Sequence, residues 1–318
     1  MLGQPLSRRE RWLGAACALA VLVIWTSFIL IARVSARHAL SPFDIAFLRF
    51  FFSGLVALPL AWRRRAALRA GLGGAQAWKR GAALATVAGV GYCGFAYSGF
   101  FFAPVAHAAV LMPGSLPLWT AVFAVLLLGE HLPRARLAGL ALIVAGDLLL
   151  GGHSLLQAFE GGNTWKGDLL FLCAGMSWGF YSVLCRRWRV GAIDATFAIA
   201  IGTLASYVPL YLLGLAAGVV PSGLHAASWG EIGFQAVYQG GLAMLVAGIA
   251  FTQVVSTFGP VRTTMITAVV PSLAALSAVP LLGETLGATA LGGLACVTAG
   301  LLLGLRPPSL PRPAGRTA

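Results

Sequence analysis

Pro117–Leu149 reads PLWTAVFAVLLLGEHLPRARLAGLALIVAGDLL, and Pro271–Leu303 reads PSLAALSAVPLLGETLGATALGGLACVTAGLLL. The two stretches lie 154 residues apart, and 17 of their 33 positions are identical. Pro117 matches Pro271, Gly129-Glu130 matches Gly283-Glu284, Gly139 matches Gly293, and Ala145-Gly146 matches Ala299-Gly300. Upstream, Ala96-Tyr97-Ser98 resembles Ala250-Phe251-Thr252. Apolar composition alone can align two lipid-soluble helices. It does not hold a proline and a Gly-Glu pair 13 residues apart in both copies. The chain is therefore read as a duplicated unit.

The surroundings of the repeat say what kind of unit it is. Of 318 residues, 59% are hydrophobic and 10% charged, whereas soluble domains carry roughly 25% charged residues. Apolar runs recur along the whole chain, at 12–33, 43–62, 81–101, 104–128, 135–151, 167–187, 195–218, 231–254, 261–282 and 286–305. Each approaches the roughly 20 residues that cross about 30 Å of hydrocarbon. Forty glycines and 16 prolines would weaken soluble helices, but membrane helices tolerate both. The fold class expected is an all-α integral membrane protein with ten transmembrane helices. The first apolar run follows Arg8, Arg9 and Arg11 and is too long for a cleaved leader, so it is expected to be a retained helix.

The formal net charge of +13 is distributed between apolar runs and not along a soluble face, which argues for topology and against nucleic acid. With the N-terminus inside and the loops alternating, 18 of the 22 basic residues fall inside. They lie at 8–11, 63–80, 134–136, 186–189, 262 and 306–316. Arg33, Arg37 and Lys166 fall outside, and Arg49 lies within a run. This bias predicts a multi-pass protein of the cell (inner) membrane with both termini cytoplasmic. Five spans per copy is odd, so the second copy enters the membrane upside down. The units are 12–151 and 167–305, with tails 1–11 and 306–318, arranged as two inverted five-helix repeats around a central cavity, an architecture of secondary transporters.

Three features carry a family resemblance. They are Ile24-Trp25-Thr26-Ser27, echoed by Ser177-Trp178-Gly179-Phe180; Leu48-Arg49 early in the second span; and the duplicated proline followed by Leu-Leu-Gly-Glu at Pro117/Glu130 and Pro271/Glu284. The chain resembles the EamA-type drug/metabolite transporter superfamily over nearly its full length. The resemblance implies ten helices around a cavity lined by the first, third, fourth, sixth, eighth and ninth. It also implies export or exchange of amino acids or other small metabolites; nucleotide sugars and sugar phosphates are substrates of other members. The counterpart of Arg49 in the second copy is expected near Gly202-Thr203.

A charge inside the bilayer is costly unless paired or wet. Arg49 and Asp147 lie at similar depth from the outer face and are read as a structural or gating charge pair, with contact to a substrate carboxylate as the alternative for Arg49. His107 is a buried polar group or a proton carrier. Gln235, Tyr238 and Gln239 share one helical face by their spacing. With Tyr92, Tyr97, Trp25, Trp178 and Tyr181 they are candidate cavity residues. Pro113, Pro117 and Pro271 free backbone carbonyls and permit kinks. The five cysteines lie in or at the ends of apolar runs without metal spacing, and the histidines at 38, 107, 131, 153 and 225 are not clustered. No metal, cofactor or catalytic residue is expected. There is no GxxxxGK[ST] loop and no HExxH motif. The rival reading, a membrane-embedded enzyme using a serine, has no motif behind it. The expected partners are a small-molecule substrate and the lipid bilayer, with the protein acting as a monomer.

Overall fold

The structure is a computed structural model that describes residues 7–35, 39–99, 101–103, 105–157, 163–282 and 288–304. The described secondary structure is helical, with no strand among these residues. Helix α1 spans Arg8–Ser35 and α2 Pro42–Arg63, followed by the short α3, Arg65–Gly71. Next come α4 (Ala77–Leu84), a π-helical segment π1 (Ala85–Gly91) and α5 (Tyr92–Gly99), which run into one another. Helices α6 (Val105–Leu128), α7 (Arg134–Gln157), α8 (Thr164–Trp188) and α9 (Ala192–Ala216) follow. Then α10 (Trp229–Gln235), π2 (Ala236–Val246) and α11 (Ala247–Phe258) form another continuous rod. The rest is α12 (Pro260–Thr267), α13 (Val270–Leu282) and α14 (Ala288–Gly304).

Helix starts are written in the sequence. Ser41 caps α2 in a full capping box, its hydroxyl accepting from the Asp44 amide while Asp44 accepts from the Ser41 amide. Pro42 occupies the first turn, where its missing N–H costs nothing. Ser228 caps α10 in the same way by accepting from the Glu231 amide. Gly129, at φ +65°, follows the end of α6 in a conformation that favours glycine.

Among the described residues, seven stretches are long and apolar enough to cross a membrane: Arg8–Phe28, Pro42–Arg63, Leu111–Leu128, Trp165–Trp188, Ala192–Ala216, Trp229–Phe258 and Pro260–Leu281. Three expected spans fall outside this set, each for an identifiable reason. Ala77–Gly99 opens on Lys79 and Arg80, and its apolar residues are diluted by glycines and by Tyr92, Tyr97 and Ser98. In Arg134–Gln157, several side chains lie outside the described residues. Ala288–Gly304 has 17 residues, about 26 Å of helix, short of the roughly 30 Å hydrocarbon core.

The packing repeats when the halves are exchanged. α2 packs on α9 and α7 on α14, each pair joining equivalent helices. α6 packs on α8 as α12 and α13 pack on α1; α5 packs on α8 as α11 packs on α1; π1 packs on α9 as π2 packs on α2. The pairs of equivalents approach closely. A β-carbon on Gly54 would lie 2.5 Å from that of Leu204, and one on Gly300 would lie 2.5 Å from the Gly139 carbonyl oxygen. Small residues at crossings are how membrane helices gain close packing without a hydrophobic driving force.

The two halves also run in opposite directions. α1 starts beside Thr257 and Phe258, which a β-carbon on Gly14 would meet at 2.9 Å. α8 starts at the other end, where Lys166 lies 6.0 Å from the Phe102 ring. Several basic residues gather at the first end. There Arg80 stands 5.6 Å over Trp188, Arg186 donates to the Ser256 carbonyl at 3.2 Å, and Arg136 and Arg262 feel each other's charge.

Candidate functional site

Between the halves lies a small cavity of about 70 Å³, well below the 300–1,000 Å³ of drug-sized ligand sites. It draws walls from both halves: Trp25 and Phe28 of α1, Arg49 of α2, Tyr92 of α5, Met112, Pro113 and Leu116 of α6, Gly175 and Trp178 of α8, Ala243 of π2 and Val270 of α13. Most of this lining is apolar. Arg49 supplies the cation.

Trp25 and Trp178, equivalent residues of the two repeats, meet edge-on with centroids 6.0 Å apart and planes at 72°. Phe251 stacks on Trp25 at 5.3 Å and lies 5.7 Å from Trp178. Tyr92 and Tyr181 flank Trp178 at 5.0 Å and 5.1 Å. Edge and offset arrangements satisfy the ring quadrupoles. The result is an aromatic box whose members hold one another's orientation. The Trp178 indole N–H, although buried, has no protein acceptor. The rings therefore present a polar edge as well as apolar faces.

Arg49 is 5% exposed. A side-chain hydrogen bond joins it to Tyr97, and Tyr92 and Cys93 are its other close titratable neighbours. Its Nε has no protein partner. A buried guanidinium attended by phenols and a thiol keeps donor capacity for an anion. The helix beneath it is fixed by contact with π2, since a β-carbon on Gly240 would lie 2.9 Å from the Arg49 carbonyl oxygen.

Of the residues singled out in the sequence, Trp25, Tyr92, Trp178, Arg49 and Pro113 line the cavity. Tyr97 and Tyr181 stand one layer behind it: Tyr97 bonds Arg49, and the Tyr181 hydroxyl lies 2.8 Å from that of Thr252. Tyr238 donates to the Ile24 carbonyl at 2.9 Å and lies 2.6 Å from the Ser27 hydroxyl, tying π2 to α1. Gln239 donates to Gln235 at 3.3 Å, and both are buried. Pro117 is buried inside α6, which continues through both its prolines. Pro271 lies at the start of α13, just after the two-residue turn between α12 and α13. The side chains of His107, Asp147 and Pro271 lie outside the described residues, so the expected Arg49–Asp147 contact does too.

One register is corrected. Arg49 is the eighth residue of α2, and the eighth residue of α9 is Ile199. The counterpart of the arginine is therefore Ile199, not Gly202-Thr203. The helix starts Ser41-Pro42-Phe43-Asp44 and Gly191-Ala192-Ile193-Asp194, each with an aspartate as third helical residue, give the proper alignment. The 154-residue offset of the later helices shifts here because the intervening loops differ in length.

Sequence reasoning also missed Asp44. It is fully buried and accepts from the Tyr211 hydroxyl at 2.5 Å, the Gly223 amide at 2.8 Å and the Ser41 amide at 2.8 Å. It fastens the 222–223 loop to the start of α2. The capping-box spacing was a readable signal for the Ser41 contact; Tyr211 and Gly223 were not, being 167 and 179 residues away.

The sequence pattern of the EamA-like transporter family matches the chain twice, over residues 12–152 and 165–306. An uncharacterized transporter, YyaM of Bacillus subtilis (strain 168), is 24% identical over 158 residues, 48% of this chain and 51% of the relative. The chain thus spans about half the length of that curated relative. The crystal structure of another protein superposes with a TM-score of 0.66 at 21% identity, over 92% of this chain and 97% of the other. That likeness concerns the fold alone.

Proposed function

The chain belongs to the EamA-like transporter family, and from that premise we propose that it exports amino acids or related small metabolites by alternating access. The observation that carries this reading is the cavity itself. It lies between the two halves, with aromatic rings on its walls and Arg49, whose Nε has no protein partner, among its lining residues. An amphipathic carboxylate suits that combination: its anion meets the guanidinium and its apolar body meets the rings. No ATP-binding loop is present in the sequence, so flux is downhill, by exchange, or coupled to an ion gradient.

In this reading ten helices span the cell membrane as two inverted repeats, both tails face the cytoplasm, and the monomer is the working unit. The outward-open and inward-open states are near mirror images of comparable energy, and rocking of the halves exchanges them. The segments π1 and π2 occupy corresponding rods in the two halves. Interruptions of this kind recur at functional sites. Here they provide paired places for the backbone to adjust.

Two measurements test this. Reporter tags placed after Trp62 and after Arg189 should both face the cytosol; either one outside refutes the topology. Purified protein in liposomes should move aromatic or branched amino acids faster than the matching amines without a carboxylate. Flux confined to nucleotide sugars, or equal flux of acid and amine, refutes the substrate class.

A further inference from the structure

Away from the central cavity, α6 and α7 diverge to leave a second, wholly apolar groove of about 1280 Å³, its open side included. Val122 and Leu126 form one wall, and Leu137, Ala141, Ala145 and Leu148 the other. Leu126, Leu137 and Leu148 are half or more exposed, so the groove looks outward, away from the site between the halves. From Leu137 to Leu148 it runs eleven residues, about 16 Å at 1.5 Å per residue. That is one leaflet of a hydrocarbon core about 30 Å thick.

The end of the groove at the start of α7 is basic. Arg136, next to Leu137, lies near Arg262 of α12 and near Glu130. The two guanidiniums repel each other, a single carboxylate stands close by, and the Nε of Arg136 is buried without a partner. Arg134 adds a further charge on the same turn. The equivalent positions in the second repeat are Ala288 and Ala290, so the duplicated fold does not require these charges.

We propose that this groove holds an acyl chain of an anionic phospholipid whose phosphate is bound by Arg136 and Arg262. The phosphate satisfies the free Nε and relieves the repulsion between the arginines; the chain covers the apolar wall to the depth of one leaflet. The occupant is a lipid and not a soluble anion because the charged end opens directly onto a leaflet-long apolar surface.

Photolabelling of the full-length protein in vesicles tests the assignment. Phosphatidylcholine vesicles are doped with phosphatidylglycerol or with phosphatidylcholine, each carrying a diazirine in the acyl chain. Adducts on 118–126 and 137–148 should favour phosphatidylglycerol about tenfold, the order of one charge-assisted hydrogen bond. In the R136Q/R262Q double variant, and to a lesser degree in R262Q alone, the preference should fall toward one. A145W should reduce labelling by both lipids, with melting temperatures confirming that each variant is folded. Equal labelling of the native protein by both lipids overturns the proposal. So does a preference that survives the double substitution, or labelling displaced by inorganic phosphate.

Discussion

Replacing Arg49 by methionine is expected to leave a folded, inserted protein whose flux of carboxylate substrates falls about 10- to 100-fold. Methionine keeps the length of the stem and fills most of its volume, so the packing around α2 survives. What disappears is a cavity-lining cation 95% removed from solvent, bonded to Tyr97 and with no protein partner for its Nε. A hydrogen bond to a charged group is worth about 1.5–3 kcal/mol, which sets the size of the loss. The matching amines, having no anion to present, should lose little. Arg49→Lys keeps the charge but not the planar fork, so it should fall between the two. Liposome flux of each acid and its amine measures this. A methionine variant that carries carboxylates at the native rate removes Arg49 from recognition. A variant that loses acid and amine alike, with a lowered melting temperature, makes Arg49 a structural tie.

Asp44→Ala should cost about 3 kcal/mol of stability, through loss of the acceptor for three donors near a buried helix start. The Ser41 amide, the Gly223 amide and the Tyr211 hydroxyl all converge on this carboxylate. The alanine variant leaves the two amides desolvated without a partner and the Tyr211 hydroxyl with only its 3.3 Å contact to Ser222, which is costlier than removing donor and acceptor together. Tyr211→Phe removes one donor cleanly and should cost about 1 kcal/mol. Asp44→Asn retains one acceptor oxygen but directs an NH₂ toward donors, so it should lie between them. Thermal unfolding in detergent, followed by tryptophan fluorescence, ranks the three. Aromatic stacking of Phe47 on Tyr211 at 4.6 Å should keep Tyr211→Phe folded. An alanine variant as stable as the parent would show that water replaces the carboxylate.

The sequence was most informative where its signal is local or periodic. Apolar runs, the inside bias of basic residues and the Pro–Gly-Glu pattern are properties of neighbours along the chain. The bilayer turns them into helices and an orientation, because unsatisfied backbone groups are not tolerated in hydrocarbon. The family and the two-fold repetition were therefore legible from residues alone, as were Trp25, Tyr92, Trp178 and Arg49 as residues of interest.

Other features required the folded chain. The correspondence of Arg49 with Ile199 depends on where each helix is capped, which loop lengths disguise. The π segments look like ordinary apolar sequence, because an extra residue per turn leaves no mark on composition. The free Nε of Arg49, the three donors gathered on Asp44 and the nearness of Arg136 to Arg262 join residues far apart in the chain. Sequence alone determined that this polypeptide dissolves in lipid as a duplicated bundle of helices, since hydropathy and spacing are carried by each segment by itself. Which polar atoms remain unpartnered at the cavity and the groove was decided only by tertiary structure, since a hydrogen bond is satisfied or missed by ångström-scale distances between helices.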